Sequence, residues 1–176
     1  DGAADLYEAT QEILAAAGLP AYEVSNHARA GHACRHNLVY WRYQDYLGVG
    51  PGAHGRVSTG SPGAAKTATR SHRAPKIWLE RVARDGHALV DDVEIPADEM
   101  LVEAVLMGLR IDEGLTADRL RYLFGVAPTD LFEATALETL VAGGFLEIDG
   151  ADIRATPAGR ARLDAVTAHL LQHLAD

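Results

Sequence analysis

The sequence is poor in cysteine and has no long apolar run. Cys34 is the only cysteine among 176 residues, which excludes a disulfide framework within the chain and fits a reducing compartment. No apolar segment approaches the roughly 20 residues that a membrane-spanning helix needs. No basic segment followed by an apolar one marks a signal peptide. We therefore expect a cytoplasmic protein that does not span a membrane.

The composition is that of a folded globular protein. Hydrophobic residues make up 48% of the chain and the net charge is −9, which separates it from disordered sequences. At roughly 150 residues per domain, the length predicts one large domain or two small ones. The sequence starts at Asp1 and enters a helical pattern almost at once, so we expect a piece of a longer protein.

Hydrophobic spacing in residues 1–95 predicts alternating helices and strands. A helix over residues 4–17 places Leu6, Ile13 and Leu14 on one face, and residues 22–25 follow as a strand. This order is half of a βαβ unit. The further expected elements are a strand at 46–50, a hairpin of 56–59 with 66–71, and a helix at 75–85 that buries Ile77, Trp78, the stem of Arg81, and Val82.

Residues 96–176 carry the pattern of a winged-helix-like domain. Its expected elements are helices at 96–109, 116–124 and 129–142, a hairpin of 145–148 with 152–155, and a helix over 157–174 capped by Thr156. The Asp149-Gly150 pair favours the hairpin turn. The first of these helices is expected to bury Leu101, Val102, Val105, Leu106 and Leu109.

The charge of this second part argues against nucleic-acid binding. Residues 97–176 hold 6 basic and 14 acidic side chains, whereas residues 1–96 hold 10 and 11. Affinity for DNA comes largely from Lys and Arg that neutralise phosphates. The candidate recognition helix at 129–142 contains no Lys or Arg. We therefore expect a packing module and no nucleic-acid partner.

Histidine and aromatic residues concentrate in residues 26–54, and three interpretations stay open from composition alone. His27, His32, Cys34 and His36 are ligand types that zinc or iron accepts. Arg35, Tyr40, Trp41, Arg42, Tyr43 and Tyr46 are what a flat anionic porphyrin needs, namely apolar walls and donors for its carboxylates. The third interpretation makes the aromatic residues part of the core.

The same stretch resembles a known family. The motifs are Tyr22-Glu23-Val24-Ser25-Asn26, Cys34-Arg35-His36-Asn37-Leu38-Val39-Tyr40-Trp41 and Asp45-Tyr46-Leu47-Gly48-Val49-Gly50-Pro51-Gly52-Ala53-His54. They are similar to the oxygen-independent coproporphyrinogen III oxidase-like radical SAM family, and within it to the heme chaperones of HemW type. Residues 97–176 resemble that family's C-terminal domain.

The resemblance implies a fold and a set of ligands. It implies an α/β fold in which residues 1–95 are C-terminal pieces of an incomplete (βα) barrel and residues 96–176 a HemN-type C-terminal domain. It implies heme as ligand, with His36 as the iron ligand. The other implied heme-binding residues are Cys34, Arg35, Asn37, Tyr40, Trp41 and Arg42. Gly48, Gly50, Gly52 and Ala53 are implied to border S-adenosylmethionine in a complete protein.

One departure from the family limits the expected activity. The family's [4Fe–4S] cluster is held by three cysteines, and Cys34 alone cannot supply them. We therefore expect a heme-binding and heme-delivering protein whose present chain is not catalytic and holds neither cluster nor S-adenosylmethionine. The alternatives are part of a porphyrin-decarboxylating oxidase or a purely structural module. A homodimer and heme-receiving proteins are the expected partners.

Overall fold

A computed structural model describes residues 2–60, 63 and 65–175 of the chain. The elements of this described part follow in the order α1 (Gly2–Ala16), β1 (Ala21–Glu23), β2 (Asn26–His27), α2 (Arg35–Trp41), β3 (His54–Ser58), β4 (Lys66–Ser71), α3 (Pro75–Asp85), β5 (Leu89–Ile95), α4 (Ala97–Gly108), α5 (Ala117–Phe124), α6 (Pro128–Leu131), α7 (Ala134–Ala142), β6 (Leu146–Asp149), β7 (Asp152–Ala155), α8 (Pro157–Arg160) and α9 (Leu163–Gln172). The mixed α/β class expected from the sequence is confirmed.

The chain begins with a surface helix and a small antiparallel ribbon. The predicted helix is present as α1, but Leu6 and Ile13 on its apolar face are 71% and 67% exposed. The predicted strand is present as β1, and its partner is β2, with Ala21 opposite His27. Within the described residues, no helix is both long and apolar enough to cross a membrane.

A three-stranded antiparallel sheet, in the order β3-β4-β5, forms the middle of the chain. The predicted hairpin is confirmed, with Ser58 opposite Lys66. The third strand, β5, was not predicted, because three acidic residues interrupt its apolar alternation. One of them, Asp91, accepts a hydrogen bond from Arg70 Nε of β4 at 2.5 Å, so the strand is held partly by cross-strand charge.

The strand predicted at 46–50 is wrong. Only Tyr46 pairs with another strand, as an isolated bridge to Arg56, while Leu47 and Val49 are 78% and 86% exposed. Gly50 has a φ of 113°, a conformation that turns the chain away from an extended path. Alternating apolar residues and glycines therefore mark a loop here.

Helix α3 has its predicted bounds but not its predicted burial. No residue of α3 is buried, and Ile77 is 39% exposed. Trp78, Arg81 and Val82 are half-buried. The predicted apolar stripe is therefore only partly covered, because the described neighbouring elements do not enclose this helix.

The C-terminal part is built as helices around the β6–β7 hairpin. Its core contains Val105, Leu109, Leu115, Leu120, Leu131, Phe132, Leu137, Leu140, Leu146, Ile153, Ala155, Leu163, Val166 and Leu170. The predicted hairpin is confirmed, and the Thr156 side chain accepts a hydrogen bond from Gly159 N as the predicted cap. Leu106, expected in the buried stripe of α4, is 45% exposed.

Two predicted helices are each divided in two. The segment 129–142 breaks between α6 and α7, where buried Phe132 is extended and bridges Leu174. The segment 157–174 breaks between α8 and α9. The apolar residues keep a helical spacing across both breaks. A residue in an extended conformation can bury its side chain at a position where a helix would also bury one, so the spacing does not reveal the break. The division of the chain at residue 96 stays a prediction.

The residues before and after β5 pack on each other. Glu23 bridges Ile111, and Tyr22 O accepts a hydrogen bond from Asp112 N at 3.1 Å. A second apolar cluster contains Tyr43, Ile95, Met100, Ala104 and Leu123. The His-rich segment, residues 26–54, therefore packs on α4 and on the loop that follows it.

Candidate functional site

Helix α2 carries the sequence motif and has an outer face made by His36 and Tyr40. These residues stand four positions apart, which places them on the same side of a helix. His36 is exposed, and its Nε2 lies 3.0 Å from the Tyr40 hydroxyl oxygen. The Tyr40 ring meets the Tyr46 ring edge to face, with centroids 4.5 Å apart. The outer face thus presents an accessible imidazole beside two aromatic rings.

Two motif residues, Asn37 and Trp41, face inward. Asn37 Nδ2 donates a hydrogen bond to the Tyr22 hydroxyl at 3.2 Å and a longer one to Asn26 Oδ1. The Arg110 guanidinium lies over the Trp41 ring, 4.8 Å from its centroid. These contacts tie α2 to β1, β2 and the loop after α4. Asn37 and Trp41 therefore hold the helix in place, and they lie apart from the outer face.

Of the three remaining candidates, two are free at the surface and one is engaged. Cys34 is the exposed N-cap residue of α2, and Arg35 is exposed in its first turn. Arg42 instead donates to both carboxylate oxygens of Glu113, with Nε distances of 3.1 and 3.2 Å. Glu113 also accepts from Arg119 Nη2 at 2.8 Å. Burial raises the pKa of Glu113, but the Arg42 hydrogen bond and the two guanidinium charges lower it further, and the net shift is downward.

Glu23 anchors the ribbon under α2. Its side chain is fully buried, and its Oε2 accepts from Ser25 N at 2.9 Å and Asn26 Nδ2 at 2.7 Å. Its Oε1 pairs with Arg110 Nη2 at 2.5 Å. In the sequence Glu23 stands only within a motif, and this role was not predicted because Arg110 lies 87 residues away.

Tyr43 and Glu103 form a second polar contact, which was not predicted from the sequence. The Tyr43 hydroxyl donates to Glu103 Oε2 at 2.8 Å, and Arg56 Nη2 donates to Glu103 Oε1 at 2.8 Å. Burial, together with the Glu103 contact, raises the pKa of Tyr43. A cavity of about 50 Å³ beside them is lined by Tyr40, Tyr43, Gln44, Tyr46, Arg56, Glu103 and Met107. That volume suits a water molecule or two, so this cavity is too small for a porphyrin.

Comparison with known proteins identifies the chain's relatives. A family model described as the HemN C-terminal domain matches residues 95–162. Radical S-adenosyl methionine domain-containing protein 1, mitochondrial, of Mus musculus is 37% identical over 177 residues, covering 99% of this chain and 40% of the mouse protein. Heme chaperone HemW of Mycobacterium tuberculosis is 35% identical over 171 residues, covering 97% of this chain and 40% of that protein. The chain belongs to the HemN- and HemW-related family.

A solved structure supports the same fold. Coproporphyrinogen III oxidase (HemN) from Escherichia coli, a radical SAM enzyme, matches with a TM-score of 0.63 at 17% identity. The match covers 94% of this chain and 40% of that one. This chain therefore has the fold of the C-terminal part of HemN, and it spans about 40% of the length of the relatives it matches.

Residues 47–53, the glycine loop, form a turn that packs on the central sheet. A Cβ added at Gly48 would stand 2.1 Å from His54 O. Gly52 N donates to His72 O at 3.1 Å, and Ala53 O accepts from Ser71 N at 2.8 Å. Residues 47–53 are not strand, and they lead directly into β3. Their role in binding S-adenosylmethionine stays a prediction.

The family's two metal-containing groups fit this chain unequally. The one cysteine cannot ligate a [4Fe–4S] cluster, which needs several thiolates. Nor does the described part of the chain bring three His, Cys, Asp or Glu side chains together as a metal site, so the zinc interpretation has no support there. A heme fits better, because one exposed imidazole is enough to ligate its iron from one side.

Proposed function

We propose that this chain binds heme on the outer face of α2, as part of a protein of heme-chaperone type. The observation that carries the proposal is that His36 is exposed, while the motif residues Asn37 and Trp41 anchor its helix. An anchored helix holds the imidazole in place before the ligand arrives, which lowers the entropic cost of binding. The mouse relative is named for a radical SAM domain and the mycobacterial one as a heme chaperone.

The outer face divides the expected contacts among few residues. His36 ligates the iron, and the Tyr40 and Tyr46 rings offer apolar contact to the porphyrin. Arg35, exposed one position earlier, pairs with a propionate, and Cys34 is the second candidate ligand. Arg42 is a weaker propionate partner than the sequence suggests, because Glu113 already neutralises its charge. Asn37 and Trp41 support the site through the position of α2.

Tyr40 controls which imidazole nitrogen is available. Its hydroxyl lies within hydrogen-bonding distance of His36 Nε2. If that hydroxyl accepts the Nε2 proton, Nδ1 is the free ligand atom; if it donates, Nε2 is occupied until the contact breaks. A second group that orients a ligating imidazole in this way normally strengthens the site. A bound heme would supply an iron atom that can accept an imidazole nitrogen.

A hemin titration of matched histidine variants tests this proposal. We expect the parent chain to shift the Soret band saturably and His36→Ala to lose at least about 1.4 kcal/mol of binding, a tenfold weaker affinity. His32→Ala is the control, because His32 is also exposed and lies in the same segment. An unchanged Soret titration with His36→Ala would remove His36 as ligand, and equal losses in both variants would indicate non-specific binding.

Delivery of heme follows from an exposed site. A ligand held on an open face is accessible to a second protein, so we propose heme-receiving proteins as partners and the cytoplasm as the compartment. The free, exposed Cys34 suits a reducing environment.

Exposed apolar side chains also favour self-association. Leu6 and Ile13 of α1 are largely exposed, as are Leu47 and Val49 of the glycine loop. Contiguous exposed apolar surface marks association sites. We expect sedimentation velocity to show a concentration-dependent dimer, and Leu6→Ser with Ile13→Ser to shift it towards monomer. A clean monomer at all concentrations would contradict this prediction.

A further inference from the structure

A cleft of about 340 Å³ lies between the central sheet and α5. Its charged lining side chains are Arg42, Asp45, Lys66 and Arg119, and Tyr122 and Leu123 of α5 form its apolar wall. Three cations and the Asp45 carboxylate line this solvent-connected space, and a second carboxylate, that of Glu113, pairs with both arginines. Such a lining attracts anions, because field lines concentrate in a cleft with low-dielectric walls.

The two arginines share one carboxylate. Arg42 and Arg119 both donate to Glu113, so a single negative charge lies between two guanidinium groups. Asp112 and Asp152 act on them from farther away, Asp112 on Arg42 and Asp152 on Arg119. Burial lowers the pKa of Arg119, and the charge of Arg42 adds to that effect. The contacts of the described chain leave Arg119 Nε and Arg42 Nη1 without an acceptor.

Lys66 adds a third, buried cation. Its side chain is 2% exposed, and its Nζ pairs with Asp45 Oδ1 at 2.5 Å and lies 4.8 Å from the Tyr43 ring centroid. Asp45 is divided between this contact and two hydrogen bonds from Ser58, through N and Oγ, each 2.8 Å long. An ammonium group has three N–H donors, and Asp45 uses one of them. The cleft therefore combines an excess of donors with a buried positive charge.

We propose that this cleft binds a small oxyanion, a carboxylate or phosphate group, held by Arg119, Arg42 and Lys66. Planar guanidinium groups recognise both oxyanions through paired N–H donors. The ligand connects residues on either side of β5, because Lys66 comes from the sheet and Arg119 from α5. This site shares only Arg42 with the heme proposal and uses neither His36 nor Tyr40.

Calorimetric titration with inorganic phosphate, at constant ionic strength and neutral pH, tests the proposal. We expect saturable binding with a dissociation constant of about 1 mM, reduced at least tenfold in Arg119→Gln. Arg121→Gln is the matched control, because Arg121 is exposed on the same helix. Succinate titrated separately distinguishes a carboxylate preference from a phosphate preference, and His36→Ala should bind both anions normally.

A second variant keeps the test decisive if Arg119→Gln fails to fold. Asp45→Asn removes the one lining carboxylate and retains an acceptor for Ser58, so phosphate should bind several-fold more tightly. Absence of saturable binding of either anion to the parent chain overturns the proposal. So does equal binding by the Arg119→Gln and Arg121→Gln variants, or unchanged or weaker binding by Asp45→Asn.

Discussion

Glu23→Ala is expected to destabilise the chain by about 2–4 kcal/mol. The substitution removes the carboxylate oxygen that accepts hydrogen bonds from Ser25 N and from Asn26 Nδ2, for which no other acceptor is described. It also removes the carboxylate partner of Arg110. Breaking a fully buried ion pair typically costs 3–5 kcal/mol. The expected loss is smaller here, because the Arg110 side chain is 31% exposed and solvent can reach it. Denaturant-induced unfolding measures the change.

The effect of Glu23 should depend on pH in a defined direction. Burial raises the pKa of Glu23, but hydrogen bonds from Ser25 N, Asn26 and Arg110 outweigh it, and the pKa lies below the ordinary value of 4.5. A lowered carboxyl pKa contributes stability above the unfolded-state pKa and loses it as pH falls through the folded-state pKa. The difference in unfolding free energy between parent and Glu23→Ala should therefore be largest near neutrality and decrease below about pH 4.5.

A nearby surface carboxylate provides the control for this experiment. Glu8 on α1 is exposed, and Glu8→Ala is expected to change stability by no more than about 0.5 kcal/mol. If Glu23→Ala and Glu8→Ala behave alike, or if the Glu23 effect is constant with pH, the buried carboxylate does not anchor the ribbon under α2. Loss of that anchor should also weaken hemin binding, since Asn26 contacts both Glu23 and Asn37.

Gly114→Ala is expected to cost about 2–5 kcal/mol of unfolding free energy. Gly114 has a φ of +70°, and an added Cβ would stand 2.2 Å from Ile153 O and 2.7 Å from Arg154 Cα. Neither backbone atom can move freely, because Leu115 N donates to Ile153 O at 2.7 Å and Ile153 N to Leu115 O at 3.0 Å. The substitution therefore combines backbone strain with a steric clash inside the C-terminal core.

Gly125→Ala separates the two causes. Gly125 has a φ of +73°, but a Cβ added there meets nothing within 4 Å. It should show the conformational cost alone, about 1–2 kcal/mol. Unfolding in denaturant compares the two variants directly. Equal losses would show that the clash at Gly114 is relieved without cost, and would contradict the packing of residue 114 against β7.

Gly114 also affects the proposed anion-binding cleft through its contacts with neighbouring residues. Its carbonyl accepts from Arg119 Nη1 at 3.1 Å, and it follows Glu113, the partner of Arg42. Displacement of this turn should disturb the two guanidinium groups together. Gly114→Ala is therefore expected to weaken phosphate binding, even under conditions where the variant remains folded.

Local sequence patterns predicted the elements that form mainly through short-range contacts. Helices α3, α4 and α5 follow the expected positions, because apolar spacing and helix-ending glycines, Gly86 after α3 and Gly125 after α5, act within one or two turns. The β6–β7 hairpin was predicted for the same reason, since Asp149-Gly150 supplies the turn. The strand at 46–50 failed because alternation predicts a strand only where a partner strand lies beside it.

For the candidate site, the sequence indicated the segment but not which residues face outward. The motif singled out seven residues, of which His36, Tyr40, Arg35 and Cys34 lie on the accessible side. Asn37, Trp41 and Arg42 are engaged by Tyr22, Arg110 and Glu113. Helix α2 itself was missed, because polar and aromatic residues in a seven-residue segment leave no clear period.

The sequence by itself determined the α/β class, the family and the location of the motif, because each depends on residue types in a linear order. The tertiary structure alone decided that Arg42 neutralises Glu113 and that Arg110 supports both Glu23 and Trp41. Arg42 and Glu113 are 71 residues apart, and Glu23 and Arg110 are 87 apart. Such contacts depend on how separate elements pack, and no local periodicity encodes that packing.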